Sequence, residues 1–329
     1  MKIKVIGCGI SGITAAVLLK EKGHDVEIFE TRSHIGGNCH DTNLAGTLVH
    51  SYGPHSFHTD DEEVFNFLSR YTEWFPFELR PKGNTELGLI SLPYSKTTIK
   101  ELGRELTQEE ILKYIFKGYS EKQWGMPIEK ISNSILSRIP KVADKENPTW
   151  FEGQKYQCVP LRGYTKMFEN MLHDIEVHLN TTNKDWEGYN TDLTIYTGKI
   201  DEYFGFRYGR LPYRSLKFEH TLSYEKMNTF IVNQNRADVP YTRVYDHSYY
   251  TKGHKGPTII TKEYSIDHTE NNIPFYPIPF GEGVEIYNKY SELAAKNENV
   301  IFLGRLATYK YLDMWMAVKQ AMQKISYLN

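Results

Sequence analysis

The 329-residue chain predicts an α/β fold, in which one nucleotide-binding domain is interrupted by a helical insertion and by an antiparallel β-sheet. Three observations carry this. An apolar run, KIKVI, leads through a glycine turn into a helix pattern and on to a second strand, HDVEIFE; parallel strands require such a crossover. From Ser95 to about Asn147 the chain reads as polar helix with no strand alternation. Between Phe206 and Tyr264, runs rich in Tyr, Thr and Val alternate with period two and are separated by turn residues, the pattern of an antiparallel sheet.

In chain order, residues 2–6 form a buried strand, a helix follows to about Lys22, and residues 24–30 form the second strand. LAGTLVHSYG suggests a third short strand. RGYTKMFENMLHDIEVHLN returns to helix and strand, and the closing NVIFLGRLATYKYLDMWMAVKQAMQKI reads strand, loop, helix. The expected division is residues 1–70, 161–205 and 296–329 for a discontinuous Rossmann-type domain, and 96–147 for a helical substrate-binding domain with a mobile loop. Residues 71–95, 148–160 and 206–295 complete it as the sheet domain.

A net charge of −2 with interspersed acids and bases offers no electrostatic footprint for nucleic acid. No window approaches a membrane span, so no membrane insertion is expected. Cys8, Cys39 and Cys158 are odd in number and scattered, which fits neither a disulfide framework nor a metal site and suits a reducing cytoplasm. Aromatic residues make up 14 %, with 24 Tyr, as a stacking or sugar-binding cleft would need, although half-buried sheet positions also take up tyrosine.

Gly7-Cys8-Gly9-Ile10-Ser11-Gly12 follows a strand and opens a helix. Gly7 permits the tight turn, Gly9 lets backbone approach a pyrophosphate, and Gly12 lets helix pack on strand. The helix N-terminus, at Ile10 and Ser11, supplies N–H groups for phosphate. Glu30 ends the second strand where a ribose-binding carboxylate is expected. Arg32, the Gly36-Gly37 pair and Asn38 follow closely. A second glycine pair lets another backbone segment reach the cofactor, which suits a permanently held FAD better than an exchangeable nicotinamide. YGPHSFHT places His55 and His58 beside Gly53 and Pro54; without further ligands at compatible spacing this is no zinc site, and a loop lying against the flavin ring fits better.

The strings GCGISG, GGNCHD, YGPHSFHT, GYSEKQWG, RIP, GYTKMFE, YGRLPYRSL, VPYTRV, KEYS, PFYPI and GRLATYKYLDM occur in this order and together resemble the UDP-galactopyranose mutase family from first strand to last helix. The resemblance implies a non-redox flavoenzyme, an isomerase that interconverts UDP-galactopyranose and UDP-galactofuranose and supplies galactofuranose for glycan synthesis. It implies that Trp124 and Tyr119 hold the uracil and diphosphate end, with Trp124 as the stacking platform, and that Phe116 lines the uridine pocket. Arg138 resembles the arginine of the family's mobile loop and Arg243 its partner from the sheet, and two guanidiniums can balance a leaving UDP. Arg214, Tyr276, Tyr311 and Asp313 match positions near substrate or flavin. Arg305 matches an FAD contact, and Leu312 lies between Tyr311 and Asp313 on the cofactor side. With the arginines, His55 and His58 complete the catalytic set; no metal is expected.

The family's chemistry has reduced FAD act through N5 as nucleophile on the anomeric carbon, with UDP leaving and later returning. An external reductant such as NAD(P)H is then needed, although the net reaction consumes none. A helix beginning near Tyr311 would favour the negative reduced flavin with its N-terminal dipole. The chain departs from the family in its short length, in Trp150-Phe151 where Tyr-Phe is usual, in Lys199 and in Trp315. Oligomeric state stays open. Two other readings share the fingerprint: a flavin amine oxidase or desaturase, and a nucleotide-sugar-binding protein without catalysis.

Overall fold

The computed structural model describes residues 1–132 and 144–328. A five-stranded, wholly parallel sheet forms the first layer, in the order Glu176–His178, Asp25–Phe29, Lys2–Ile6, Leu193–Tyr196, Val300–Phe302. Lys2–Ile6 lies at its centre, which is why KIKVI is buried at every position after the first. The helix Ile10–Glu21 is buried on most of its circumference, between this sheet and the C-terminal helix Met314–Ser326. Ala15 and Ala16 are fully buried, and such small side chains allow close packing. The largest core cluster gathers around this helix, from Ile3 and Val5 to Val318 and Ile325.

The third strand expected in LAGTLVHSYG does not join the parallel sheet. Asp41–Leu44 and Thr47–His50 form a separate antiparallel hairpin, because Ala45 and Gly46, both at positive φ, turn the chain back within two residues.

The second layer is a seven-stranded sheet in the order Tyr276–Pro277, Tyr213–Ser223, Thr258–Asp267, Arg243–Asp246, Ile231–Gln234, Lys82–Thr85, Gly88–Ser91. It is antiparallel as expected except where Ile231–Gln234 meets Lys82–Thr85 in parallel. These two strands come from distant parts of the chain, so no hairpin fixes their direction. Trp74–Pro76 and Tyr156–Pro160 lie outside this sheet, in a three-stranded one whose middle strand, Tyr156–Pro160, pairs with Phe57–Thr59 on one side and Trp74–Pro76 on the other.

The helical insertion begins at Lys96–Leu102 and continues through Gln108–Ile111, a π-helical turn Leu112–Lys117 and the helix Gly118–Trp124. Thr107 caps it, its hydroxyl accepting from the Glu110 amide while the Glu110 carboxylate accepts from the Thr107 amide, a reciprocal start signal. Among the described residues, no helix is long and apolar enough to cross a membrane.

Candidate active site

The glycine loop after the first strand leaves no room for side chains at Gly7 and Gly12. A Cβ on Gly12 would lie 2.0 Å from the Gly7 carbonyl oxygen, and one on Gly7 would lie 2.2 Å from Thr197 Oγ1. Gly9 caps the following helix with no side-chain acceptor, so the first-turn amides of Ile10 and Ser11 are offered to a ligand. Gly9 also bridges to Gly36, and a Cβ on Gly37 would come within 2.9 Å of the Gly9 Cα. The second glycine pair therefore does meet the first.

Glu30 accepts from the Cys8 amide at 2.7 Å and from the Arg32 amide at 2.9 Å. A carboxylate has about four lone-pair sites, leaving capacity for ribose hydroxyls. Arg32 donates through Nη2 to Asn38 Oδ1 at 2.8 Å and lies over the Tyr52 ring, while its Nη1 is buried without a partner. A buried guanidinium nitrogen without an acceptor is rare in a finished structure. The double glycine cradle and this unpaired donor fit an FAD diphosphate.

Beside this crevice lies a cavity of about 840 Å³. Its lining joins the loop from Tyr52 to His58, with Asn38 and Arg305, to Phe116, Tyr119 and Trp124 from the helical insertion. The seven-stranded sheet supplies Asn233, Arg243 and Tyr276, the turn after Gln234 supplies Asn235, and the segment before the last helix supplies Tyr311 and Asp313. Residues scattered over 275 positions of sequence, from Asn38 to Asp313, thus share one space.

Arg243 is the best-defined charge in it. Its Nε donates to Glu263 Oε1 at 2.9 Å, and its Nη2 to Oε1 and Oε2 at 2.7 and 2.8 Å. Burial opposes the charge, but Glu263, Tyr119 and Tyr276 hold its pKa well above the usual arginine range. Burial likewise pushes the Tyr119 phenol up to about 12, with Arg243 acting the other way; the hydroxyl remains a donor. Arg305 donates to the Phe275 and Leu312 carbonyls at 3.0 and 2.7 Å and sits 5.4 Å from the ring centres of both Tyr276 and Tyr311. These two rings stack at 5.4 Å and 12°.

His55 faces the cavity with Nδ1 at 2.7 Å from the Gly53 carbonyl. Burial first, and the Arg305 and Arg243 charges, pull it down to about 4, so it is neutral near pH 7 and positions rather than protonates. His58 is buried, stacks on Phe151 at 3.5 Å and 12°, and meets Gln154 Oε1 through Nδ1 at 2.7 Å.

Two expectations change. Trp124 is 4 % exposed and packs edge-on or tilted against Tyr276, Phe280 and Tyr311. A stacking platform needs an open ring face, which the partly exposed Phe116 and Tyr119 supply and Trp124 does not. Arg214 does not line the cavity. Its guanidinium pairs with Asp267 and Ser265 Oγ and caps the Gly118–Trp124 helix through the Gln123 carbonyl at 3.0 Å, as a cation at a helix C-terminus should. The last helix begins at Met314, close after Tyr311 as expected; Asp313 is its N-cap, and Met314 and Met316 line the cavity. Arg138 lies outside the described residues.

Glu263, Asn233 and Met314 were missed. Glu263 stands in KEYS and could have been sought as the partner a buried arginine requires. Asn233 faces Arg243 across a strand pair, which only register reveals.

A sequence model described as UDP-galactopyranose mutase matches residues 114–311, and one described as an NAD(P)-binding Rossmann-like domain matches residues 5–71. The chain is 34 % identical to the dTDP-fucopyranose mutase of Escherichia coli over 98 % of its length and 97 % of that protein's. It is 35 % identical to a probable UDP-galactopyranose mutase of Klebsiella pneumoniae, with 98 % and 93 % covered. A crystal structure of reduced UDP-galactopyranose mutase shares the fold with a TM-score of 0.80 at 14 % identity, covering 99 % of this chain and 95 % of that one.

Proposed function

The chain belongs to the UDP-galactopyranose mutase family, and from that premise we propose that it interconverts UDP-galactopyranose and UDP-galactofuranose with FAD as cofactor. The observation that carries this is one cavity lined together by the loop Tyr52–His58, the rings of Phe116 and Tyr119, and Arg243. Reduced FAD, when bound, supplies the nucleophile for the anomeric carbon.

The chain's own residues do the rest. Gly7, Gly9, Gly12 and the first turn at Ile10 and Ser11 hold the cofactor diphosphate, with Glu30 on a ribose and Arg32, Gly37 and Asn38 completing the cradle. Arg305 spans the loop before the last helix, fixing Leu312 beside Tyr311 and Asp313. The N-terminus of the Met314 helix favours negative charge near the cavity. Phe116 and Tyr119 offer faces to the base, and Arg243 grips phosphate oxygens. His55, kept neutral, and His58 shape the wall on the flavin side.

Charge balance supports a role for Arg138. The described cavity lining carries Arg243 and Arg305 against Glu152 and Asp313, and Glu263 already neutralises Arg243. A diphosphate leaving group therefore needs a further cation, and Arg138 in the segment after the helix is the one we assign. The three free cysteines are all buried, which accords with a reducing cytoplasm.

The test is a flavin spectrum of the purified protein, then turnover of UDP-galactofuranose with and without dithionite. Because the Escherichia coli relative's name carries a dTDP sugar, dTDP-fucopyranose runs beside it. Conversion that needs reduction but consumes no stoichiometric reductant is expected; oxygen-dependent oxidation of an amine would overturn the assignment.

A further inference from the structure

The strand pair that carries Asn233 and Arg243 is fixed internally by its own register, but strand pairing does not set its distance from the helix that carries Phe116 and Tyr119. Lys122 does. From the Gly118–Trp124 helix its Nζ reaches into the hairpin and donates to the carbonyls of Gln234, Arg236, Val239 and Tyr241 at 2.7, 2.8, 2.9 and 3.3 Å. An ammonium has three protons, so four carbonyl oxygens around one nitrogen are held by charge as much as by directed bonds.

The rest of that helical face makes the same contact. Asn235 donates through Nδ2 to the Ile115 carbonyl, and a Cβ on Gly118 would lie 2.2 Å from the Asn235 oxygen. Positions 115, 118 and 122 are spaced three and four apart, one stripe of a helix. The nearby charges, Arg236 and Asp238, are exposed and paired with each other. Burial pulls the Lys122 ammonium down to about 8, with Asp238 acting the other way. Lys122 does not itself line the cavity.

We propose that Lys122 is a positioning residue of the diphosphate site: its ammonium clamps the Gln234–Tyr241 turn to the substrate helix, setting the separation between Arg243 on the sheet and Phe116 and Tyr119 on the helical run. This rests on the nucleotide-sugar reading of the cavity. The clamp explains why the helix needs Gly118 and a long cation on one stripe; neither touches the cavity's chemistry, yet both fix its width.

The experiment uses the FAD-loaded full chain and measures UDP affinity, KM, kcat, flavin content and melting temperature for Lys122→Met, Arg243→Ala and the double variant. Lys122→Met is expected to keep its flavin, weaken UDP at least tenfold and raise KM more than it lowers kcat. In the Arg243→Ala background the same change should weaken UDP less than threefold, because a residue that acts through Arg243 loses its effect when Arg243 is gone. Additive losses, or unchanged UDP affinity in a folded Lys122→Met protein, overturn the proposal. Should that variant not fold, Lys122→Arg takes its place. Its planar fork cannot draw four carbonyls to one point, so UDP should weaken three- to tenfold with flavin retained; wild-type affinity overturns the clamp. A wild-type holoenzyme that binds neither UDP nor dTDP fails the nucleotide reading itself, and the clamp's function with it.

Discussion

Arg243→Ala removes a phosphate ligand and, at the same stroke, strands Glu263. That carboxylate is 2 % exposed and takes three hydrogen bonds from Arg243. Leaving one partner of a buried pair alone costs about 3–5 kcal/mol, on the order of 5–10 °C in melting temperature for a chain this long. Losing the charged contact to diphosphate should cost about 2 kcal/mol, roughly thirtyfold in Kd. The two effects separate in Arg243→Ala/Glu263→Gln, where no buried charge is left unpaired. This double variant should melt within a few degrees of wild type yet still bind UDP weakly. Melting is followed by scanning fluorimetry and Kd by calorimetry on the flavin-loaded protein. A double variant that binds UDP like wild type would show that Arg243 serves the fold through Glu263 and never meets the diphosphate.

Four other outcomes are expected. Gly12→Val should purify without flavin, since its side chain would displace the Gly7 carbonyl, and absorbance near the flavin bands checks it. Phe116→Ala should weaken UDP by about 1–3 kcal/mol, the range for one lost stack, whereas Trp124→Ala should chiefly lower melting, by about 3–5 kcal/mol of stability. Arg138→Ala should retain FAD and lose turnover under dithionite; near-normal turnover removes it from the leaving-group role. His247 is fully buried, and its pKa is pulled by burial, and by His220, to about 3. The unfolded chain takes up that proton first, near pH 6.5, so the stabilising effect is complete above about 6.5 and is lost as pH falls toward about 3. His247→Gln should flatten the acid limb of a denaturation series by about 1.4 kcal/mol per pH unit; an unchanged limb refutes it.

The sheet domain works through the helix it holds as well as through its own side chains. Arg214 and Ser265 both bind the Gln123 carbonyl at the helix's C-terminal end, and Lys122 binds the hairpin along its flank. The helical run from Gln108 to Trp124 ends in this segment, and its placement against the sheet is set by these anchors. Phe116 and Tyr119 therefore inherit their placement from the sheet that carries Arg243, and mutations at the anchors should be read in nucleotide affinity before they are read in chemistry.

What the residue string revealed was local. The glycine fingerprint, the crossover helix and the alternating runs are short-range patterns, and each appears in the structure where periodicity puts it; Arg243 and Tyr276, which the family resemblance pointed to, and His55 line the cavity. What it hid depends on neighbours distant in sequence. Arg214 and Arg243 both stand in strands of the same sheet, and nothing in YRSL or YTRV says which guanidinium is spent on a helix end and which faces a cavity. That difference comes from the partner: Asp267 with two carbonyls for one, Glu263 beneath an open wall for the other. Trp124 misled for the same reason, since KQWG cannot show Phe280 and Tyr311 closing over the indole. A large aromatic between polar residues announces that something apolar or flat lies opposite it. Whether that is a ligand or the next side chain is decided by packing more than 150 residues away.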